Sequence, residues 1–174
     1  VRRSIPSLRL CLAAALVALP LCAFGQAPPK TMLLHAGDAT KILPDAVYFA
    51  GKSASNQLRN SAGVRYGDGH YVLAVLVDTS GYSPAIQGKY QGYLITEVPL
   101  DFGGHRLPAG AYGVGFVGDH FGVLDLGSRE LLQAPASHDQ AMVRPMPLEI
   151  LEGPPPGSYR LCFGRTCVDF HRAR

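Results

Sequence analysis

The chain of 174 residues carries 16 Lys and Arg against 13 Asp and Glu, but three of the basic residues, Arg2, Arg3 and Arg9, precede an apolar leader, so the rest is neutral at 13 against 13. That balance excludes partners chosen by bulk positive charge, nucleic acid and anionic lipid among them. A 47% apolar composition excludes a disordered chain, while 20 Gly and 14 Pro call for many short turns.

The three arginines lead into an apolar run from Leu10 to Phe24. At about 15 residues it is too short for a bilayer that needs roughly 20. Ala23-Phe24-Gly25 supplies a small-x-small pattern, and cleavage is expected near Ala23, Gly25 or Ala27. Residues 1–27 therefore read as a secretory signal peptide. Residues 28–174 read as one domain, periplasmic or extracellular, with no stable membrane span. Leu21 stands before Cys22 where lipid attachment needs a small residue.

Beyond residue 30 no helical apolar period lasts three turns, whereas several segments alternate or run apolar between Gly, Pro and Asp. Val64 to Tyr66 and His70 to Val77 flank a Gly67-Asp68-Gly69 turn, and Tyr71 to Val77 is apolar enough for a central strand. Ser83 is placed to cap a short helical turn starting at Pro84 and limited by Gly88. A second long strand is expected over Tyr90 to Val98, then Leu100-Asp101-Phe102 before a Gly103-Gly104 turn. The reading is all-β: a single antiparallel β-sandwich or small β-barrel of about 8 to 10 strands.

Pro108-Ala109-Gly110-Ala111-Tyr112-Gly113-Val114-Gly115-Phe116 matches Pro155-Pro156-Gly157-Ser158-Tyr159-Arg160-Leu161-Cys162-Phe163. In each copy a Gly-bearing turn precedes a strand that sets Tyr, an aliphatic residue and Phe on one face. The second copy ends at Gly164-Arg165. If these two residues form the turn, Cys162 and Cys167 face each other at a non-hydrogen-bonded pair, within reach of a disulfide in an oxidising compartment.

The run Val98-Pro99-Leu100-Asp101-Phe102-Gly103-Gly104-His105-Arg106-Leu107-Pro108-Ala109-Gly110-Ala111-Tyr112 resembles exported bacterial all-β proteins that carry a Leu-Pro-Ala-Gly-x-Tyr hairpin. The closing stretch from Arg144 to Phe170 is similar to the end of the same group. The resemblance implies the fold class and export. That group has no established activity, so no catalytic residue is carried over.

Gly113-Val114-Gly115-Phe116-Val117-Gly118 matches G-x-G-x-x-G, but its glycines lie inside an alternating strand with no helix to follow. They are expected to let rings or backbone pack closely, and no cofactor is expected. Asp78-Thr79-Ser80-Gly81 resembles an aspartic-protease turn with one residue too many and no second carboxylate. His35, His70, His105, His120, His138 and His171 show no metal-ligand spacing, so no metal site is expected. Tyr66, Tyr71, Tyr82, Tyr90 and Tyr93 cluster around one strand pair. The residues chosen for binding are Asp78, Tyr82, Tyr90 and Tyr93, whose rings would meet a protein or glycan if exposed. The functional expectation is an exported, non-catalytic domain that binds such a partner in the envelope or outside the cell. The alternative is a hydrolase or metal-dependent enzyme built from Asp78 and dispersed His and Asp residues.

Overall fold

The computed structural model describes residues 30–174. The expected signal peptide, with Ala23, Gly25 and Ala27, lies outside the described residues. In chain order these form β1 (Met32–Leu34), α1 (Ala36–Ala39), β2 (Ala46–Phe49), β3 (Lys52–Arg65), β4 (Tyr71–Val77), α2 (Pro84–Gln87), β5 (Gly92–Thr96), β6 (Leu100–Phe102) and β7 (His105–Leu107). There follow β8 (Gly110–Val117), β9 (His120–Leu124), β10 (Glu130–Pro135), β11 (Ser137–His138), β12 (Glu149–Glu152), β13 (Ser158–Phe163) and β14 (Thr166–Arg172). One sheet of eight strands runs β1-β3-β4-β5-β8-β9-β10, with β2 also on β3; a second of six runs β12-β13-β14-β6-β7, with β11 on β14. All pairings are antiparallel, and the sheets stay separate, so the fold is a sandwich rather than a barrel.

The strands outnumber the expected eight to ten because the chain changes sheets through short pieces such as β6, β7 and β11, each of two or three residues. The expected strand Tyr90 to Val98 shortens to Gly92–Thr96, since Tyr90 turns into a second core and Glu97 binds the Tyr71 N–H through its carboxylate at 2.8 Å. α2 forms where Pro84 allows it, but the Ser83 side chain makes no capping bond. α1, a single turn, carried no signal in the sequence.

Tyr71–Val77 lacks a polar face because both faces of its sheet are covered. Val72 and Ala74 point into the core between the sheets, with Leu94, Val114, Phe121 and Val123 from the same sheet and Leu100, Phe102, Leu161, Val168 and Phe170 from the other. Leu73, Val75 and Val77 point the opposite way, into a second core with Leu43, Val47, Phe49, Tyr82, Tyr90 and Tyr93. The cover on that side is the β2–β3 hairpin, α1 and the connection through α2. β3 reaches both layers: Lys52 to Ser55 pair with β2, and Ser61 to Arg65 pair with β4 across a register shift after Gln57. Polar side chains hold that irregular stretch, Ser61 Oγ donating to Leu58 C=O at 2.6 Å and Gln57 Nε2 to Val77 C=O at 3.3 Å.

The glycines of β8 fit the packing reading. Tyr112 and Val114 face the inner core, with Phe116 packed against it, while Gly113 and Gly115 face outward. A Cβ on Gly113 would overlap the Phe49 ring, and one on Gly115 would lie 2.5 Å from the Lys89 carbonyl oxygen. Phe49 occupies the space Gly113 leaves and stacks on Tyr90 at 3.8 Å between centroids. The two copies of the Pro-Gly-Tyr-Phe pattern differ at their turns: Gly157 has φ of +86°, but Gly110 has no positive φ and lies under the Tyr112 hydroxyl.

Gly164-Arg165 closes β13 and β14 with Phe163 opposite Thr166 and Cys162 opposite Cys167. The two cysteines form a disulfide, with Cα atoms 4.1 Å apart and both residues fully buried.

Two outcomes follow from this packing. Gly113→Val lowers the unfolding free energy by about 1–3 kcal/mol because the Phe49 ring has no room to retreat. Gly122→Ala, whose added Cβ meets nothing nearer than 3.8 Å, shifts it by less than about 0.5 kcal/mol; urea unfolding of both variants checks the contrast. Replacing Cys162 and Cys167 together by Ala costs about 2 kcal/mol on the chain-entropy model. Thiol labelling of residues 28–174, prepared without reductant, finds no free cysteine.

Candidate functional site

Asp78 stands just past the end of β4, exposed, and its Oδ1 accepts the Ser80 N–H at 3.0 Å. That hydrogen bond holds the carboxyl below its ordinary range. The arrangement is the Asx turn expected of a strand end, and Asp78 supplies no paired carboxylate chemistry by itself.

The tyrosines chosen for binding do not present their rings. Tyr82, Tyr90 and Tyr93 are 6%, 0% and 5% exposed, which corrects the expectation that they meet a ligand face-on. The physical reason is the second core: the outer face of β4 and β5 must be covered, and these are the large side chains nearest to it. Tyr82 donates its hydroxyl to the carbonyls of Phe49 at 3.0 Å and Lys52 at 3.2 Å, tying the Ala50-Gly51 turn to the sheet. Burial pushes the Tyr82, Tyr90 and Tyr93 hydroxyls up from their ordinary value.

The histidines remain dispersed. His70 Nδ1 lies 3.1 Å from Asp68 and His120 Nδ1 2.6 Å from Asp119, both at exposed turns. Among the described residues no group of three or more His, Cys, Asp or Glu side chains gathers to hold a metal ion.

The surface concavities lie elsewhere. One side of the sandwich, between the edge strands β1 and β12, holds two hollows of about 390 and 280 Å³ that share Leu33. The first is lined by Lys30, Thr31 and Met32 against Glu152, Ser158 and Tyr159. The second sets His35, Arg59 and Ala62 against Met146, Leu148, Glu149 and Ile150. Together they form a cleft with an apolar floor. Lys30 and Arg59 line the side of the larger sheet, Glu149 and Glu152 the other. A further hollow of about 280 Å³ on the outer face has Gly122 in its wall with Lys89, Glu130 and Gln133. Two of its polar side chains are already engaged, Gln133 Nε2 donating to Glu130 at 2.9 Å and Lys89 Nζ to the neighbouring Ser128 C=O at 3.2 Å.

Sequence reasoning missed the cleft. Its walls come from segments about 115 residues apart in the chain, and β3 between them is mostly polar; only the alternation in Leu148-Glu149-Ile150 hinted at a strand there. No protein-family model, curated protein or solved structure matches this chain.

Arg172 Nη1 donates to Asp68 Oδ2 at 2.6 Å, joining the last strand to the β3–β4 turn, and its guanidinium lies 5.3 Å from the Tyr66 ring centre. The Arg172 hydrogen bond, then that of His70, holds the Asp68 carboxyl at about 2 against an ordinary 3.8. Because the folded carboxyl is the stronger acid, the pair's stabilisation is complete above the ordinary value and is lost as pH falls towards 2. Arg172→Met therefore lowers the urea midpoint at pH 7, and its deficit against the parent narrows between about pH 4 and pH 2.

Proposed function

We propose that this is an exported, non-catalytic β-sandwich that binds a protein or glycan in the cell envelope or outside the cell, through the cleft between β1 and β12. The observation that carries this reading is the cleft itself. Its floor is apolar at Leu33, Leu148 and Ile150, and its two rims bear Lys30 and Arg59 on one side and Glu149 and Glu152 on the other. None of these four charges is held in an ion pair among the described residues. An apolar floor with uncommitted charges at its margins is the composition of a recognition surface. The cross-strand disulfide is compatible with an oxidising compartment, and the arginine-led apolar leader supports the same destination.

Thermal unfolding of the oxidised protein against envelope proteins, glycans and their fragments tests the reading, because a ligand that binds only the folded state raises the midpoint. At a hundredfold excess over Kd the expected gain is about 2.7 kcal/mol, or roughly 5 °C or more for a domain of this size. The gain disappears when Leu33→Glu places a charge on the cleft floor. A panel with no shift, together with cross-linking in the intact envelope that yields no neighbour at β1 or β12, overturns it.

A further inference from the structure

Two sheet edges border the cleft: among the described residues β12 pairs only with β13, and β1 only with β3. The register fixes which backbone groups point outward. Phe163 and Thr166 flank the two-residue turn as a hydrogen-bonded pair, so Cys162 and Cys167 form a non-hydrogen-bonded pair, in keeping with their 4.1 Å Cα separation. The Cys162 N–H and C=O therefore point to β12, where Glu149 is opposite, and two residues on Arg160 does the same to Leu151. The Gly153 N–H, donating to Ser158 C=O at 2.9 Å, continues the alternation. Ile150 and Glu152 fall between these positions, so their N–H and C=O groups point away from β13 and out of the sheet.

The same count applies at β1. Tyr66 N–H donates to His70 C=O at 2.8 Å, so Val64 bonds across to Val72, while Gly63 and Arg65 turn to Leu34 and Met32. Leu33, common to both hollows, is left with its N–H and C=O directed to the open side. β1 also runs antiparallel to β12 across the cleft, since Thr31 and Met32 share a hollow with Glu152, and His35 shares one with Leu148 and Glu149.

We infer that the cleft receives an extended peptide segment of a partner protein, which adds to β12 as a further strand through the backbone groups of Ile150 and Glu152. This rests on the binding role proposed above and names its partner and mode. Strand addition supplies affinity through main-chain hydrogen bonds, with pockets for alternate side chains. Here those pockets are the hollows on either side of Leu33.

Among the other edges, β10 carries a register shift after Glu130 and ends in Pro135, and β1 and β7 have three residues each; β2 matches β12 in length but lines neither hollow. β12 is guarded by its charges. Glu149 and Glu152 put a carboxylate on each face of the strand, which disfavours pairing with a second copy and accepts a strand that carries Lys or Arg. Lys30 and Arg59 across the cleft accept acidic residues, so the fitting peptide has low net charge and both signs.

Panning linear octapeptides against the oxidised, exported protein, then measuring Kd for the best of them, tests the inference. Glu152→Pro removes an outward N–H without touching the β13 ladder, and an edge strand accepts proline at such a position. Glu152→Gln keeps the N–H and removes the charge. Selected peptides are expected to place apolar residues at alternate positions, to weaken about tenfold or more on Glu152→Pro, and to change less than about threefold on Glu152→Gln. Peptides N-methylated at odd or at even amides probe the same bonds from the ligand's side and need no change to the protein. One methylation register abolishes binding and the other spares it. Failure to select any linear peptide, or binding indifferent to methylation register and to Glu152→Pro, overturns strand addition. If the thermal panel still finds a glycan or folded protein that Leu33→Glu rejects, the binding role stands and only its mode falls.

Discussion

The structure depends on one requirement, that the larger sheet be shielded from water on both faces. Val72 and Ala74 on one face of β4 and Leu73, Val75 and Val77 on the other are all buried, so no orientation of the strand leaves an apolar side chain dry without two covers. The second sheet is one cover. The other is improvised from the β2–β3 hairpin, a single turn of helix at α1 and the long connection through α2. Phe49 is the contact that seats it, because its ring enters the gap at Gly113 and stacks on Tyr90. Burying a side chain of that size is worth about 1.5–3 kcal/mol.

That requirement explains why the tyrosines nearest the β4–β5 connection are absorbed into packing. An outer layer made of loops has little regular structure of its own and must fill its space with large side chains, even where, as at Tyr90, the buried hydroxyl finds no partner. Tyr82 packs its ring on Phe49 at 6.1 Å between centroids and shares its hydroxyl proton between two carbonyls of the hairpin turn. The turn needs the help: Ala50 sits at a positive φ of +46°, and its N–H is also held by Leu126 C=O at 2.8 Å.

The same economy leaves the β1–β12 side open. The covering elements lie on the outer face of the larger sheet, the disulfide-closed hairpin fixes one end of the smaller one, and the Asp68–Arg172 pair ties the last strand to the other end of the sandwich. β1 has three residues and β12 four, too few to wrap the gap between their sheets. The cleft along this side is lined by backbone edges, side chains of both charges and an apolar floor.

Local chemistry made part of this legible from the chain alone. The all-β class, the turn at Gly67-Asp68-Gly69, the short helix at Pro84, the opposition of Cys162 and Cys167, and the packing role of Gly113 and Gly115 follow from spacing, turn residues and alternation, which act over a few positions. β3 was not legible beyond its last residues, because Lys52–Arg65 is largely polar and owes its strand conformation to β2 and β4 on either side. The sorting of tyrosines into core rather than surface was equally hidden, since a ring alternating with polar neighbours reads the same whether its far side meets water or a covering loop. The cleft was decided by tertiary structure alone: Leu33 and Ile150 share it only because β1 and β12 end their respective sheets on the same side, and no local pattern encodes which strand is last in a sheet.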